Sequence, residues 1–217
     1  MSRPEEVEAI LSGIELFNPD NLPRLEHYFG VQCRKNEYDQ LANLAILELY
    51  QFNPQLVNPS IIVSILAKAL TVLPGPDFNT YSCLLTQKTV NAGVQQLFSL
   101  HKLFQTGQFE EFWTLTNESS VAELLGEISN FKTSMRLVIS QIISVTFQQI
   151  SKSQLLKFLN LKDNEEEFNT LIQTLGWELS EGDLVKIQSN QFNEVKQGNV
   201  DETIKVQQLS KLFSFIN

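Results

Sequence analysis

SKSQLLKFLNLKDNEEEFNTLIQTLGWELSEGDLVKI, residues 151–187, is the stretch whose reading decides the fold. Ser151 or Ser153 is placed to cap a short helix carrying Leu155, Leu156, Phe158 and Leu159. Asp163 then caps a second helix, with Phe168, Leu171, Ile172 and Leu175 as its apolar stripe. Gly176 stands where a left-handed residue ends a helix. Trp177-Glu178-Leu179-Ser180 alternates like a strand, Glu181-Gly182-Asp183 reads as a hairpin turn, and Leu184-Val185-Lys186-Ile187 as the returning strand. Helix, helix and β-hairpin in this order predict a winged helix.

On the C-terminal side, Gln188–Asn199 is polar and rich in Asn and Gln, which predicts a mobile wing or loop. A last helix places Leu209, Leu212, Phe213 and Ile216 at i, i+3, i+4 and i+7. On the N-terminal side, helical periodicity dominates. Val7, Ile10, Leu11 and Ile14 form a first stripe, and Leu22, Leu25, Tyr28 and Phe29 a second. Tyr38–Phe52 is apolar nearly all round, with Gln40, Asn43, Glu48 and Gln51 on a narrow polar strip. Residues 60–73 repeat that design, with Ser60, Ser64, Lys68 and Thr71 as the strip. Helices with so little wet surface are covered by neighbours on most sides. Pro74-Gly75-Pro76 then stops the chain, and Asp77 is placed to cap the next helix. Val94–Phe104, an aromatic helix at Phe109, Phe112 and Trp113, Val121–Ile128 and a long Phe131–Gln149 helix follow. Phe-Asn-Pro at 17–19 returns at 52–54, a helix-pair period. The expected architecture is mainly α: a HEAT-like helical-repeat domain over residues 1–150, then a winged-helix domain with a C-terminal helix over 151–217.

Composition and charge narrow the function. Apolar residues make up 42% and charged residues 19%, enough for a packed core. Net charge is −9, and residues 1–130 hold 15 acidic against 7 basic side chains. Phosphate neutralisation drives non-specific nucleic-acid binding, so the whole chain is a poor stand-alone binder. The second helix of the winged-helix segment, which would enter a DNA groove, opens on Asp163-Asn164-Glu165-Glu166-Glu167. Those acids suit a helix N-terminus, where the macrodipole favours negative charge, and repel phosphate. A nucleic-acid-binding regulator is therefore the weaker reading.

Catalysis lacks parts. His27 and His101 are the only histidines, each on a helix among apolar neighbours. No Gly-rich phosphate loop, His-Glu-x-x-His or Gly-x-Ser-x-Gly occurs. Glu110-Glu111 and Glu165–Glu167 read as solvated helix faces, and Trp113 and Trp177 as core anchors. Cys33 and Cys83 make neither a disulfide framework nor a zinc cluster, so two idle thiols in a reducing cytoplasm are expected. MSRPEEVEAI is not a signal peptide, and no run reaches the ~20 apolar residues of a membrane span. Catalytic residues, cofactor and metal are all expected to be none.

Helical repeat followed by winged helix, together with FNPDNLPRLEHY (17–28), NEYDQLANLAILELYQFNP (36–54), LAKALTVLPGPDF (66–78), FEEFW (109–113), the 147–150 helix end and LGW (175–177), resembles the PCI-domain family. That family supplies scaffold subunits to the proteasome lid, the COP9 signalosome and translation initiation factor 3, and the likeness is to those of the last. The resemblance implies no catalysis and a part in bringing mRNA and initiator tRNA to the small ribosomal subunit. It implies the other subunits of the factor as partners, most directly the l subunit, joined through winged-helix domains. A small proteasome-lid or signalosome subunit is the alternative of the same architecture.

The residues place such joining independently. A two- or three-stranded wing leaves an unpaired edge, a template for another chain. Protein contacts are therefore expected at Trp177, Leu179, Leu184, Val185 and Ile187, and on the last helix at Leu209, Leu212, Phe213 and Ile216, unless that helix packs back on the wing.

Overall fold

The computed structural model describes residues 3–161, 164–180 and 183–194. Eleven α-helices and three short strands occur among them, in the order α1 (Glu5–Leu11), α2 (Leu22–Lys35), α3 (Gln40–Phe52), α4 (Pro59–Leu70), α5 (Asp77–Leu84), α6 (Ala92–Gln105), α7 (Phe109–Thr116), α8 (Ser119–Leu125), α9 (Phe131–Thr146), β1 (Gln149–Ser151), α10 (Lys152–Leu159), α11 (Glu165–Leu175), β2 (Glu178–Ser180) and β3 (Leu184–Lys186). No helix among the described residues is long and apolar enough to cross a membrane.

Side-chain caps set several helix starts. Asp39 accepts from the Ala42 N–H, Asn58 from Ser60, Asn91 from Val94 and Ser151 from Gln154. Asn36 and Asn160 close α2 and α10 in the left-handed conformation, as Gly176 closes α11. Asp77 is not a cap: it is the first residue of α5, and its carboxylate accepts from Tyr38 Oη (2.8 Å) and Gln40 Nε2 (2.6 Å). Asn164 caps α11 by accepting from the Glu167 N–H; Asp163 lies outside the described residues.

The helices pack in a stack. α2 lies on α3, α3 on α5, α5 on α4, α4 on α6 and α6 on α7. One apolar core runs from Val7 to Ile187. Burial follows most of the expected stripes, but on α3 the strip residue Asn43 is buried while Leu41 and Phe52 are exposed. Ile14 leaves the first stripe, because α1 stops at Leu11 and Ile14 opens a separate 3-10 turn (Ile14–Phe17) that points it into solvent. The middle of the strip on α4, Ser64 and Lys68, is polar but not wet. Ser64 donates to Glu127 Oε2 (2.7 Å) and the buried Lys68 ammonium donates to Asn36 Oδ1 (2.8 Å). Burial lowers the Lys68 pKa, as desolvation of a cation must. The two thiols divide: Cys33 is buried, which pushes its pKa up to about 11, and Cys83 is exposed.

His27 is exposed and His101 is buried, its ring stacked on Phe78 at 4.1 Å. Burial lowers the His101 pKa below its usual 6.5. The neutral form thus belongs to the fold: its contribution is complete above pH 6.5 and is lost as pH falls through the lowered value. His101→Phe should keep the ring packing and flatten that part of the acid profile. Urea titrations between pH 7.5 and 5 would check it; equal slopes for both proteins would contradict the assignment.

An aromatic seam joins the stack to α10. Phe104 meets Phe109 edge-on at 5.7 Å, Phe109 meets Phe158 of α10 at 5.5 Å, and Trp113 Nε1 donates to the Phe158 carbonyl at 2.7 Å. Each such ring pair adds about 0.5–1.5 kcal/mol beyond its area. Trp113 and Trp177 are both buried.

α9 ends at Thr146 rather than running on to Gln149. Phe147 turns to extended backbone (φ −114°, ψ 147°), and Gln149–Ser151 becomes β1. The three strands form one antiparallel sheet in the order β1-β3-β2. Residues 188–194 are also tied down, unlike the mobile loop their composition predicts. Asn190 Nδ2 donates to the Ser144 carbonyl (2.8 Å), and Asn193 Nδ2 to those of Ser144 (3.1 Å) and Phe147 (3.3 Å). These amides satisfy carbonyls at the open end of α9.

Candidate protein-docking site on the C-terminal sheet

β3 is the centre of the sheet. Val185 lies between Ile150 of β1 and Leu179 of β2, while Leu184 lies between Ser151 and Ser180, and Lys186 between Gln149 and Glu178. Because side chains alternate along a strand, Ile150, Val185 and Leu179 share one face and the other six the opposite face. Ile150 and Val185 are buried against the helices. Leu179 shares their face but sits on the edge strand, and is 52% exposed. Leu184 is 38% exposed on the outer face, among polar neighbours.

The predicted contact residues therefore separate. Trp177, Val185 and Ile187 are buried and hold the sheet to the helices. Leu179 and Leu184 are the two whose side chains are exposed. Leu209, Leu212, Phe213 and Ile216 lie outside the described residues. β2 pairs with β3 alone, so its other side has no strand among the described residues. Two further apolar side chains near the sheet are exposed: Val145 at the end of α9 and Phe192 in the polar turn. The Asn190 and Asn193 bonds bring that turn against the end of α9.

Arg136 on α9 ties α10 and α11 to the helical stack. Its guanidinium donates to the carbonyls of Leu159 (3.0 Å) and Asn160 (3.3 Å) at the end of α10, and to the Glu167 carboxylate on α11. It also lies 5.9 Å from the centre of the Trp113 ring. Lys152 pairs with Glu165 at 3.4 Å. Of the three acids read as a solvated face, Glu165 and Glu166 are exposed as expected, while Glu167 is half-buried against Arg136. The leading turn of α11 is held against α9 and α10.

The cluster with the most acid–base character lies elsewhere and is fully engaged. Arg3 donates to both Asp39 oxygens (2.6 and 2.9 Å), Tyr28 Oη donates to Asp39, and Tyr38 Oη lies 3.0 Å from Tyr81 Oη. Burial acts to raise the Asp39 pKa, but Arg3, the Ala42 N–H and Tyr28 outweigh it and hold the carboxyl below its usual range. Burial, aided by Asp39, pushes the Tyr28 pKa up to about 12. These groups tie the chain before α1 to α2 and α3, and α3 to α5.

Comparison with known proteins places the chain. Residues 56–198 match the model of the CSN8/PSMD8/EIF3K family. The chain is similar to "Eukaryotic translation initiation factor 3 subunit K" of Botryotinia fuckeliana, 33% identical over 97% of this chain and 92% of the relative. The proteins of that name from Aspergillus terreus and Neurospora crassa are each 31% identical, over 97% of this chain and 93% of theirs. With a family model covering more than half its length and relatives matched nearly end to end, the chain belongs to the CSN8/PSMD8/EIF3K family and, within it, to the subunit K group of eukaryotic translation initiation factor 3.

Proposed function

We propose that the chain is a non-catalytic scaffold of initiation factor 3, acting in the cytoplasm. In this reading a HEAT-like stack, α1 to α9, carries a winged-helix unit made of β1, α10, α11, β2 and β3. The unit docks neighbouring subunits, the l subunit most directly, and the assembly helps bring mRNA and initiator tRNA to the small ribosomal subunit. The observation that carries the docking role is the edge of β2 that no strand among the described residues pairs with, with Leu179 exposed on it and Leu184 close by. An edge strand supplies main-chain hydrogen bonds, and apolar side chains beside it supply selectivity. The pairing of Glu167 with the largely buried Arg136 supports a structural role for that acid, and the exposed acids beside it disfavour groove entry by α11.

Leu179→Asp/Leu184→Asp tests it. Both side chains are exposed, so the isolated chain should melt within a few degrees of wild type, corresponding to about 0.5 kcal/mol per surface change. Recovery of other initiation factor 3 subunits with the tagged chain should fall at least tenfold. Normal recovery with an unchanged melting curve would refute docking through this sheet.

A further inference from the structure

The recurring Phe-Asn-Pro tripeptide builds two similar turns at one end of the molecule. α2 and α3 run antiparallel, as Tyr50 Oη bonded to Glu26 and Gln32 Nε2 bonded to Asn43 require. The entrance to α2 and the exit of α3 are therefore neighbours. A 3-10 turn, Ile14–Phe17, stands before the first, pinned by Asn21 Nδ2 donating to the Glu15 carbonyl and carboxylate (both 3.0 Å). A second 3-10 turn, Pro54–Leu56, follows Phe52. In each repeat the asparagine side chain is used locally: Asn18 Oδ1 accepts from the Asp20 N–H, and Asn53 Nδ2 donates to the Leu49 carbonyl.

What these braced turns display is apolar. Ile14 is 90% exposed, Phe17 62%, Phe52 67% and Leu56 43%. Exposed large apolar residues at the same end of a helix pair are the raw material of an interaction site. The charge along these stretches is mainly negative: residues 11–26 and 44–61 contain Glu15, Asp20, Glu26 and Glu48 against Arg24 alone, and no Lys or Arg occurs from Asn36 to Ala67. RNA and anionic lipid are repelled by such a field, and so is an identical copy of the same face. A cationic partner is drawn to it.

We infer that this end of the α2–α3 pair is a second docking surface, for a basic helical segment of another protein chain that seats aliphatic or aromatic anchors between Phe17 and Phe52. Because the turns are already held by proline and asparagine, little order has to be created on binding. The inference stands on the N-terminal helices and does not use the sheet. It rests on membership of the assembly only for the choice of sample.

The test uses the full chain assembled with the other initiation factor 3 subunits, with benzoylphenylalanine in place of Phe17 or Phe52. Irradiation should join both positions to one segment of one other protein, a segment with net positive charge and apolar anchors. Asp20→Lys/Glu48→Lys in the same chain should lower the yield at least fivefold. Benzoylphenylalanine at Leu41, exposed at the opposite end of α3, should not join that segment. No cross-link from 17 and 52, joining to RNA, to a second copy of this chain or to an acidic segment, or a yield indifferent to charge reversal would each overturn the inference. Recovery of the other subunits in the same sample reports separately on membership of the assembly.

Discussion

Arg136→Ala should cost about 3 kcal/mol and loosen α10 and α11 from the helical stack before the stack itself unfolds. The side chain is largely buried and holds two carbonyls at the end of α10, one carboxylate on α11 and the face of Trp113. A hydrogen bond to a charged group contributes about 1.5–3 kcal/mol, and breaking a buried pair strands the partners. Glu167 is partly exposed and regains water, which keeps the loss below the full value for a buried ion pair. Arg136→Lys should recover only part of it, since an ammonium lacks the planar fork that reaches carbonyl and carboxylate together. Hydrogen exchange across Lys152–Leu175 would rise well ahead of exchange in α3 and α4. Uniform exchange throughout the chain would contradict a local weld.

Val185→Asp should be more damaging, at about 4 kcal/mol or more. Val185 is fully buried in the central strand between Ile150 and Leu179, and a carboxylate there would have neither water nor a cation to face. The sheet should be lost and assembly with it. Leu184→Asp, one residue earlier, points outward and should leave the fold intact. Melting curves and tryptophan fluorescence of Trp177 would distinguish the two. A folded Val185→Asp protein would show that the inner face of the sheet has been assigned to the wrong side.

Much of this was legible because the signals were long. Helices with 3.6-residue stripes, Asn-Pro and Pro-Gly-Pro breaks, and the Gly176 stop are local features that the tertiary structure had no reason to override. β1 was not legible. Gln149-Ile150-Ser151 continues the apolar spacing of α9, and its conversion to a strand depends on pairing with Leu184–Lys186. The α4 strip was misread for a related reason. The acceptors that make burial of Ser64 and Lys68 tolerable, Glu127 and Asn36, are 63 and 32 residues away in the chain. At the candidate site, alternation identified the strands but not which alternate positions face the helices. A strand of three residues presents the same pattern in either orientation. Phe192 was hidden in a polar tract because its turn is shaped by asparagines reaching α9 carbonyls.

The burial of Lys68 has a practical consequence for mapping the assembly. Lys35 is the first lysine of the chain, Lys68 the next and Lys88 the third. With the Lys68 ammonium enclosed, a folded chain shows amine-reactive reagents no lysine side chain between Lys35 and Lys88, and none before Lys35. The end that carries Phe17 and Phe52 falls within that silent span. Lysine-directed distance maps of the whole factor will therefore under-report whatever protein sits there, however tightly it is held, and a carbon-inserting photoprobe on the phenylalanines is the reagent matched to that face.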